Sequence, residues 1–297
     1  MQSGALEVIN PGSHTTIQDL GRRGFRDVGV PWSGPLDHVS FRLANQLAGN
    51  PANTPTLEIL MLGPTLKVLA DSVRVALVGC SAEKFPSDRS VRLARGAVFR
   101  ILPPRDSVCA YLAVEGGFDI PSVLGSASTF ARAKIGGFDG RRLRHGDMLP
   151  IKFNEVELRD ESTRAHPLDL APDQPIRVIL GPQDDYFTEE AIATFLSAEY
   201  TVSSQSDRMG YRLQGPLLTH AKGYNIISDG IVTGAIQVPG SGQPIILMVD
   251  NPTTGGYPKI ATVISADIPV VGRRSPGRKI RFVAVDLAEA QKALRQQ

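Results

Sequence analysis

Short apolar runs, punctuated by glycine and proline, dominate the pattern of hydrophobic and polar positions. Such runs, rich in β-branched residues and bounded by turn formers, predict strands. They fall at Leu6–Ile9, Leu57–Leu60, Leu66–Leu69, Val73–Val78, Val98–Leu102, Val108–Val114, Ile176–Leu180, Ile231–Val238, Ile245–Val249 and Ile280–Val285. Three stretches carry the helical period instead. Leu36, Val39, Leu43 and Leu47 share one face of a segment Leu36–Ala48, with Pro35 in the first turn and Gly49 as the stop. Tyr186–Ala198 follows Asp184-Asp185 as a prospective N-cap, and Asp286–Arg295 reads as a helix capped by its own aspartate. The fold class this predicts is mainly β with a few short helices.

Composition sets the scale. The 297 residues include 29 glycines and 22 prolines spread throughout, which suits many short strands and argues against a helical or doubly wound protein. A polar, unpatterned stretch over 154–175 divides an N-terminal subdomain, 1–153, from a C-terminal one, 176–297. With 42% hydrophobic and 21% charged residues, the chain is able to bury a sizeable core. A balance of 32 basic against 30 acidic residues favours neither nucleic acid nor a membrane surface as a partner. The first residues have no basic start and no long apolar run, and no later stretch reaches membrane-spanning length, so a cytoplasmic protein is expected. Cys80 and Cys109 each sit in an apolar run and are expected to be buried free thiols.

Polar chemistry concentrates in a few places. Between the runs Ile245–Val249 and Ile260–Ile264 lies Asp250-Asn251-Pro252-Thr253-Thr254-Gly255-Gly256-Tyr257-Pro258-Lys259. Adjacent glycines expose backbone N–H groups and admit a ligand close to the main chain, so this loop suits an anion or a carbonyl. A tight hairpin with solvated polar residues accounts for it equally well. Thr15–Arg22, followed by Gly29–Asp37, places Asp19, Arg22 and Asp37 near one another in sequence, and strand alternation puts Thr16 and Gln18 on one face. A local Asp19–Arg22 ion pair is the alternative. Asn45 falls near the apolar helix face and needs hydrogen-bond partners if buried, whether from protein or ligand. In Ser206-Asp207-Arg208-Met209-Gly210, Arg208 oriented by Asp207 is either an anion contact or a surface pair. Gln237 is the conspicuous polar member of an apolar strand. Phosphate loops, dinucleotide fingerprints, nucleophile elbows and histidine pairs at metal-ligand spacing are all missing, so no metal is expected.

Thr15–Arg22, Gly29–Asp37, Ser206–Gly210 and Thr253–Ile260 together resemble the biotin-dependent carboxyltransferase family, which includes allophanate hydrolase subunit 2, KipA and the C subunit of 5-oxoprolinase. The match runs in the expected order from about Leu6 to Phe282. It implies two cyclophilin-like β-barrel subdomains forming one carboxyltransferase (subunit 2) domain. These residues match the subunit 2 half alone, without a Met-Lys-Met biotinylation site, so the resemblance is strongest to the C subunit of an ATP-dependent 5-oxoprolinase, which helps open 5-oxoproline to glutamate. The implied partners are a subunit 1 homologue (KipI, or the 5-oxoprolinase B subunit) and a homologue of the 5-oxoprolinase A subunit. No tightly bound cofactor is implied, and ATP is used by the complex. The alternatives are carboxyl transfer to urea or another small amide, with carboxybiotin from a separate protein, and a KipA-like regulatory binding protein.

The resemblance further implies Lys259, Asp19 and Asp37 as catalytic residues. Thr253, Thr254, Gly255, Gly256, Tyr257, Arg22, Arg208, Gln237 and Asn45 are the implied contacts to a small amide or lactam. Pro252 stands where the family has Gln before the two threonines, and Gly272–Arg278 lacks the expected Gln and Asp, but the threonine-glycine core is intact, which points to a related substrate rather than a dead site.

Overall fold

Cys109–Val114 is apolar on both faces and Val73–Val78 is so but for Arg74, which a strand tolerates only when covered on both sides. The computed structural model shows what covers them. It describes residues 4–104, 106–166 and 168–296; Met1–Ser3 of the expected first subdomain and Pro167 of the expected boundary lie outside these. The chain divides into two units, Met1–Arg23 with Ser33–Leu170, and Gly24–Trp32 with Ala171–Gln297.

The first unit holds β1 (Gly4–Asn10), β2 (His14–Gln18), α1 (His38–Ala48), β3 (Thr56–Leu60), β4 (Thr65–Val68), β5 (Ser72–Val78), β6 (Arg89–Ala94), β7 (Val98–Arg100), β8 (Cys109–Val114) and β9 (Met148–Ile151). They form a five-stranded sheet in the order β2-β3-β8-β5-β6 and a four-stranded sheet in the order β7-β4-β1-β9. Strand alternation sends Val73, Val75 and Leu77 into a core shared with Leu6, Leu66, Phe99 and Leu149 of the smaller sheet. The opposite faces of β5 and β8 lie beneath α1, where Phe41 meets Tyr111 edge-on with ring centroids 6.1 Å apart. The polar segment from residue 154 to 170 belongs to this unit. There Val156 is buried, and Glu161 accepts from Ser90 Oγ (2.6 Å) and the Arg92 N–H (2.7 Å).

The second unit holds β10 (Ile176–Leu180), α2 (Glu189–Ser197), β11 (Tyr200–Val202), β12 (Gly210–Gln214), β13 (Asp229–Gly230), β14 (Ala235–Gln237), β15 (Ile245–Leu247), β16 (Thr254–Gly255), β17 (Lys259–Val263), α3 (Ile268–Arg273), β18 (Lys279–Ile280), β19 (Phe282–Ala284) and α4 (Leu287–Arg295). Eight strands form one sheet in the order β18-β11-β12-β15-β14-β17-β10-β19. Its first and last strands are consecutive in the chain, separated by Arg281 alone, so the sheet curls into a nearly closed barrel. β19 joins β10 in parallel, with Ile176 opposite Phe282, while β18 pairs antiparallel with β11. The mainly β expectation holds.

Several boundaries differ from the sequence reading for local reasons. The run Ile231–Val238 forms a strand only at Ala235–Gln237, because Gly234 turns the chain with φ +92° and a Cβ there would meet Ile268 Cδ1 at 2.7 Å. Asp184-Asp185 forms its own 3-10 turn, and α2 is capped by Thr188, whose side chain accepts from the Ala191 N–H (3.1 Å). α1 begins later than Pro35 suggests, since Asp37 is its N-cap. α3, with Pro269 in its first turn, carries no helical period in the sequence and escaped the reading. Cys80 and Cys109 are free and buried, as expected.

Candidate functional site

Thr16, Gln18, Asp19, Arg22, Asp37 and Asn45 sit in the first unit. Gln18 Nε2 donates to Thr16 Oγ1 (3.0 Å), which confirms their shared face, and to the Thr129 carbonyl (3.2 Å). Asp19 is a buried acceptor: Oδ1 takes bonds from Ser128 Oγ (2.7 Å), Ser126 Oγ and the Gly21 N–H (2.9 Å), and Oδ2 takes the Ala127 N–H (2.7 Å). The Arg22 guanidinium donates to the Ser128 carbonyl, so Asp19 and Arg22 meet on one serine. Asp37 is fully buried and its carboxylate caps α1, accepting from the Val39 N–H (3.0 Å) and the Ser40 N–H (3.1 Å). Asn45 ties the end of α1 to the next turn through Thr54 O (2.8 Å) and Asn50 Nδ2 (3.0 Å).

The remaining candidates sit in the second unit. Arg208 does not pair with Asp207 as expected. It is buried against Asp250, with Nε to Oδ2 at 2.8 Å and Nη2 to Oδ1 at 3.1 Å. Asp207 Oδ1 instead caps the turn, accepting from the Met209 N–H (2.8 Å) and the Gly210 N–H (3.2 Å).

The glycine-pair loop is strapped to this unit. β16 pairs with β13, Asp229 opposite Gly255 and Gly230 opposite Thr254, and the Ile226 N–H donates to the Gly256 carbonyl (2.9 Å). Thr254 and Tyr257 are exposed. Arg26 Nη2 donates to the Ile231 carbonyl (2.5 Å) and to Asn251 Oδ1 (3.1 Å), fixing the entry to the loop. Gly255 has no room for a side chain: an added Cβ would stand 2.5 Å from Ile231 Cδ1 and 2.7 Å from Gln237 Nε2. The glycine thus lets the Gln237 amide approach the main chain, where it donates to the Tyr257 carbonyl (3.3 Å).

Lys259 completes the group. It opens β17 opposite Gln237, its side chain is almost wholly buried, and Nζ donates to Asp229 Oδ2 at 2.9 Å. Gln183 grips its backbone from both sides, Oε1 accepting from the Lys259 N–H (3.2 Å) and the Gln183 N–H donating to the Lys259 carbonyl (3.1 Å). The Lys259 hydrogen bond holds the Asp229 carboxyl below its ordinary 3.8, helped by the Gly230 N–H. An ammonium has three donors. One is taken by Asp229, and the other two have no partner among the described residues. The Gln237 Oε1 acceptor is likewise uncommitted among them. A donor pair on a buried cation beside a free amide oxygen matches the C=O and N–H edge of a planar amide.

Arg26, Gln183, Asp229, Asp250 and Asn251 were missed in the sequence. Asp229-Gly230 and Asp250-Asn251 resemble ordinary turn chemistry, and the side-chain partners that fix them lie 18 to 225 positions away along the chain. Among the described residues, no three His, Cys, Asp or Glu side chains converge as a metal site. No helix among them is long and apolar enough to cross a membrane.

Residues 28–284 match the family described as "Carboxyltransferase domain, subdomain A and B". The chain is 40% identical over 298 residues to the 5-oxoprolinase C subunit of Escherichia coli, covering 98% of this chain and 95% of that one. It is 38% identical to the Haemophilus influenzae protein of the same name, covering 98% and 94%. Among solved structures it superposes on the urea amidolyase of K. lactis with a TM-score of 0.86 at 34% identity, covering 98% of this chain and only 19% of that larger protein.

Proposed function

The chain belongs to the carboxyltransferase subdomain A and B family, and from that premise we propose that it is the C subunit of a 5-oxoprolinase, the component of that enzyme that holds a small lactam. The observation that carries the reading is the pairing of two unspent Lys259 donors with the free Gln237 amide oxygen beside a glycine-lined main chain. Lys259 Nζ donates to the lactam oxygen and stabilises the negative charge that develops there as the ring opens. Such a donor, preorganised by Asp229 and Gln183, needs no rearrangement during reaction. Gln237 Oε1 accepts the ring N–H and fixes the orientation. Thr253, Thr254 and the Gly255-Gly256 main chain form the wall on which the ring rests. Asp19, Asp37 and Asn45 hold the loops and helix end of the first unit itself, since their side chains are spent on its backbone and neighbouring polar groups.

ATP is assigned to the partner proteins, in keeping with the lack of a phosphate loop in this sequence. Homologues of the 5-oxoprolinase A and B subunits are those partners, and the assembly works in the cytoplasm. The urea amidolyase of Saccharomyces cerevisiae, 36% identical over 94% of this chain and 16% of its own length, favours a second reading in which the acceptor is urea or another amide. The ureido ring of carboxybiotin presents the same C=O and N–H edge to Lys259 and Gln237, and when bound would supply the carboxyl group.

The test is ATP-dependent glutamate release from 5-oxoproline by the chain co-purified with its A and B partners. Release should vanish when this chain is omitted, and Lys259→Met should reduce it at least 100-fold, in line with loss of a preorganised donor, while the complex still assembles. A Lys259→Met complex of undiminished rate would remove Lys259 from the chemistry.

A further inference from the structure

The cross-strand register of the second unit lines up four residues on neighbouring strands. Arg212 on β12 lies opposite Ile245 on β15, Ile245 opposite Gln237 on β14, and Gln237 opposite Lys259 on β17. Directly opposed residues share a face of the sheet, and across the register shift between Ile236 and Gln237 the side chains of Gln237 and Lys259 still converge, one against Gly255 and the other on Asp229 opposite it. With strands about 4.8 Å apart, the row spans about 14 Å from Arg212 to Lys259. Its Lys259–Gln237 end is the amide-binding group described above.

At the Arg212 end a pocket of about 420 Å³ opens, lined by Arg212, Ile245, Gln205, Gln214, Ser241 and Tyr257 among others. Its described lining contains one charged side chain, Arg212, and no carboxylate. Three other arginines of this unit are matched with acids: Arg177 with Asp267, Arg208 with Asp250 and Arg281 with Asp173. The Arg212 guanidinium has no such partner among the described residues, nor do the Gln205 and Gln214 amides or the Tyr257 hydroxyl. Tyr257 also joins the two ends, because its carbonyl accepts from Gln237 while its side chain lines the pocket.

We propose that this pocket is the carboxylate subsite of the ligand, with Arg212 as its specificity-determining residue. The guanidinium fork takes a carboxylate through two parallel N–H bonds, and the Tyr257 hydroxyl with the Gln205 and Gln214 amides supplies neutral donors around it. The favoured ligand is a small planar amide or lactam carrying a carboxylate. Urea has no such group, so Arg212 separates the two readings of the active site. The inference rests on the amide-edge role given above to Lys259 and Gln237.

Two measurements test it separately from that reading. In the assembled complex, Arg212→Gln should raise KM for 5-oxoproline about 10- to 100-fold, the loss of a charged hydrogen bond, with kcat retained, and Arg212→Lys should restore part of it. In ligand-observed NMR on the full chain alone, 5-oxoproline should bind the wild type and not Arg212→Gln, and 2-pyrrolidinone, the same lactam without the carboxylate, should bind neither. An unchanged KM in Arg212→Gln, or equal binding of the two lactams, overturns the subsite. Arg212-dependent binding by a chain whose complex never turns over 5-oxoproline would keep the subsite and overturn the 5-oxoprolinase reading.

Discussion

Lys259 is buried while its partner Asp229 is half exposed, so the exposed carboxylate anchors the buried cation and water screens the outer side. Because the folded-state value of Asp229 is depressed, the pair's contribution is fully present above about 3.8 and is lost as pH falls through the lowered value. The Asp229 carboxyl resonance followed by NMR should titrate below 3.8 in the wild type and move upward in Lys259→Met. An identical midpoint in both would show that something other than Lys259 holds it. At this scale the sequence reveals residues that break a pattern. Gln237 was visible because it interrupts an apolar strand, and Lys259 because it closes a polar, glycine-paired loop. Arg26 and Gln183 were invisible, since nothing near Arg26 in sequence announces a carbonyl at Ile231, and nothing near Gln183 announces the backbone of Lys259.

The two-strand pairing of β13 with β16 is short, and its geometry depends on what Gly255 lacks. The obstacles to a Cβ there are the far ends of Ile231 and Gln237, which can swing aside. Gly255→Ala should therefore cost only about 1–2 kcal/mol of stability. By displacing the Gln237 amide from Tyr257 it should still lower turnover by 10-fold or more. Thermal unfolding beside a rate assay checks this, and equal activity would show that the close approach has no chemical role. Element types were readable where periodicity met burial: α1 and β5 carry their patterns openly. Element ends were set by single groups that propensity ranks poorly, such as Thr188 rather than Asp184 at α2, or Gly234 cutting a long apolar run.

The eight-stranded barrel closes because the chain changes partners at Arg281, leaving β11 for β10 within one residue. β19 thereby covers the edge of β10, and uncovered edges template association. A chain ending after Asp286 keeps β19 and should stay soluble and fold, with a lower melting temperature from losing α4. A chain ending after Ile280 should aggregate on expression. Soluble, cooperatively unfolding protein from the second truncation would show that closure is dispensable. The strand-rich class was legible in the sequence, yet this closure was not, because parallel pairing of β10 with β19 joins segments about a hundred residues apart that carry no shared motif.

Gly24–Trp32 belongs to the unit otherwise made of Ala171–Gln297, and its Arg26 clasps the entry to the glycine loop. During synthesis that clasp leaves the ribosome more than two hundred residues before Asn251 exists to receive it. The glycine-pair loop can therefore be locked only after translation has passed it, and the nascent chain must hold an early segment in reserve. Completion of the loop's hydrogen bonding is thus a late event in the life of each molecule, timed by chain length.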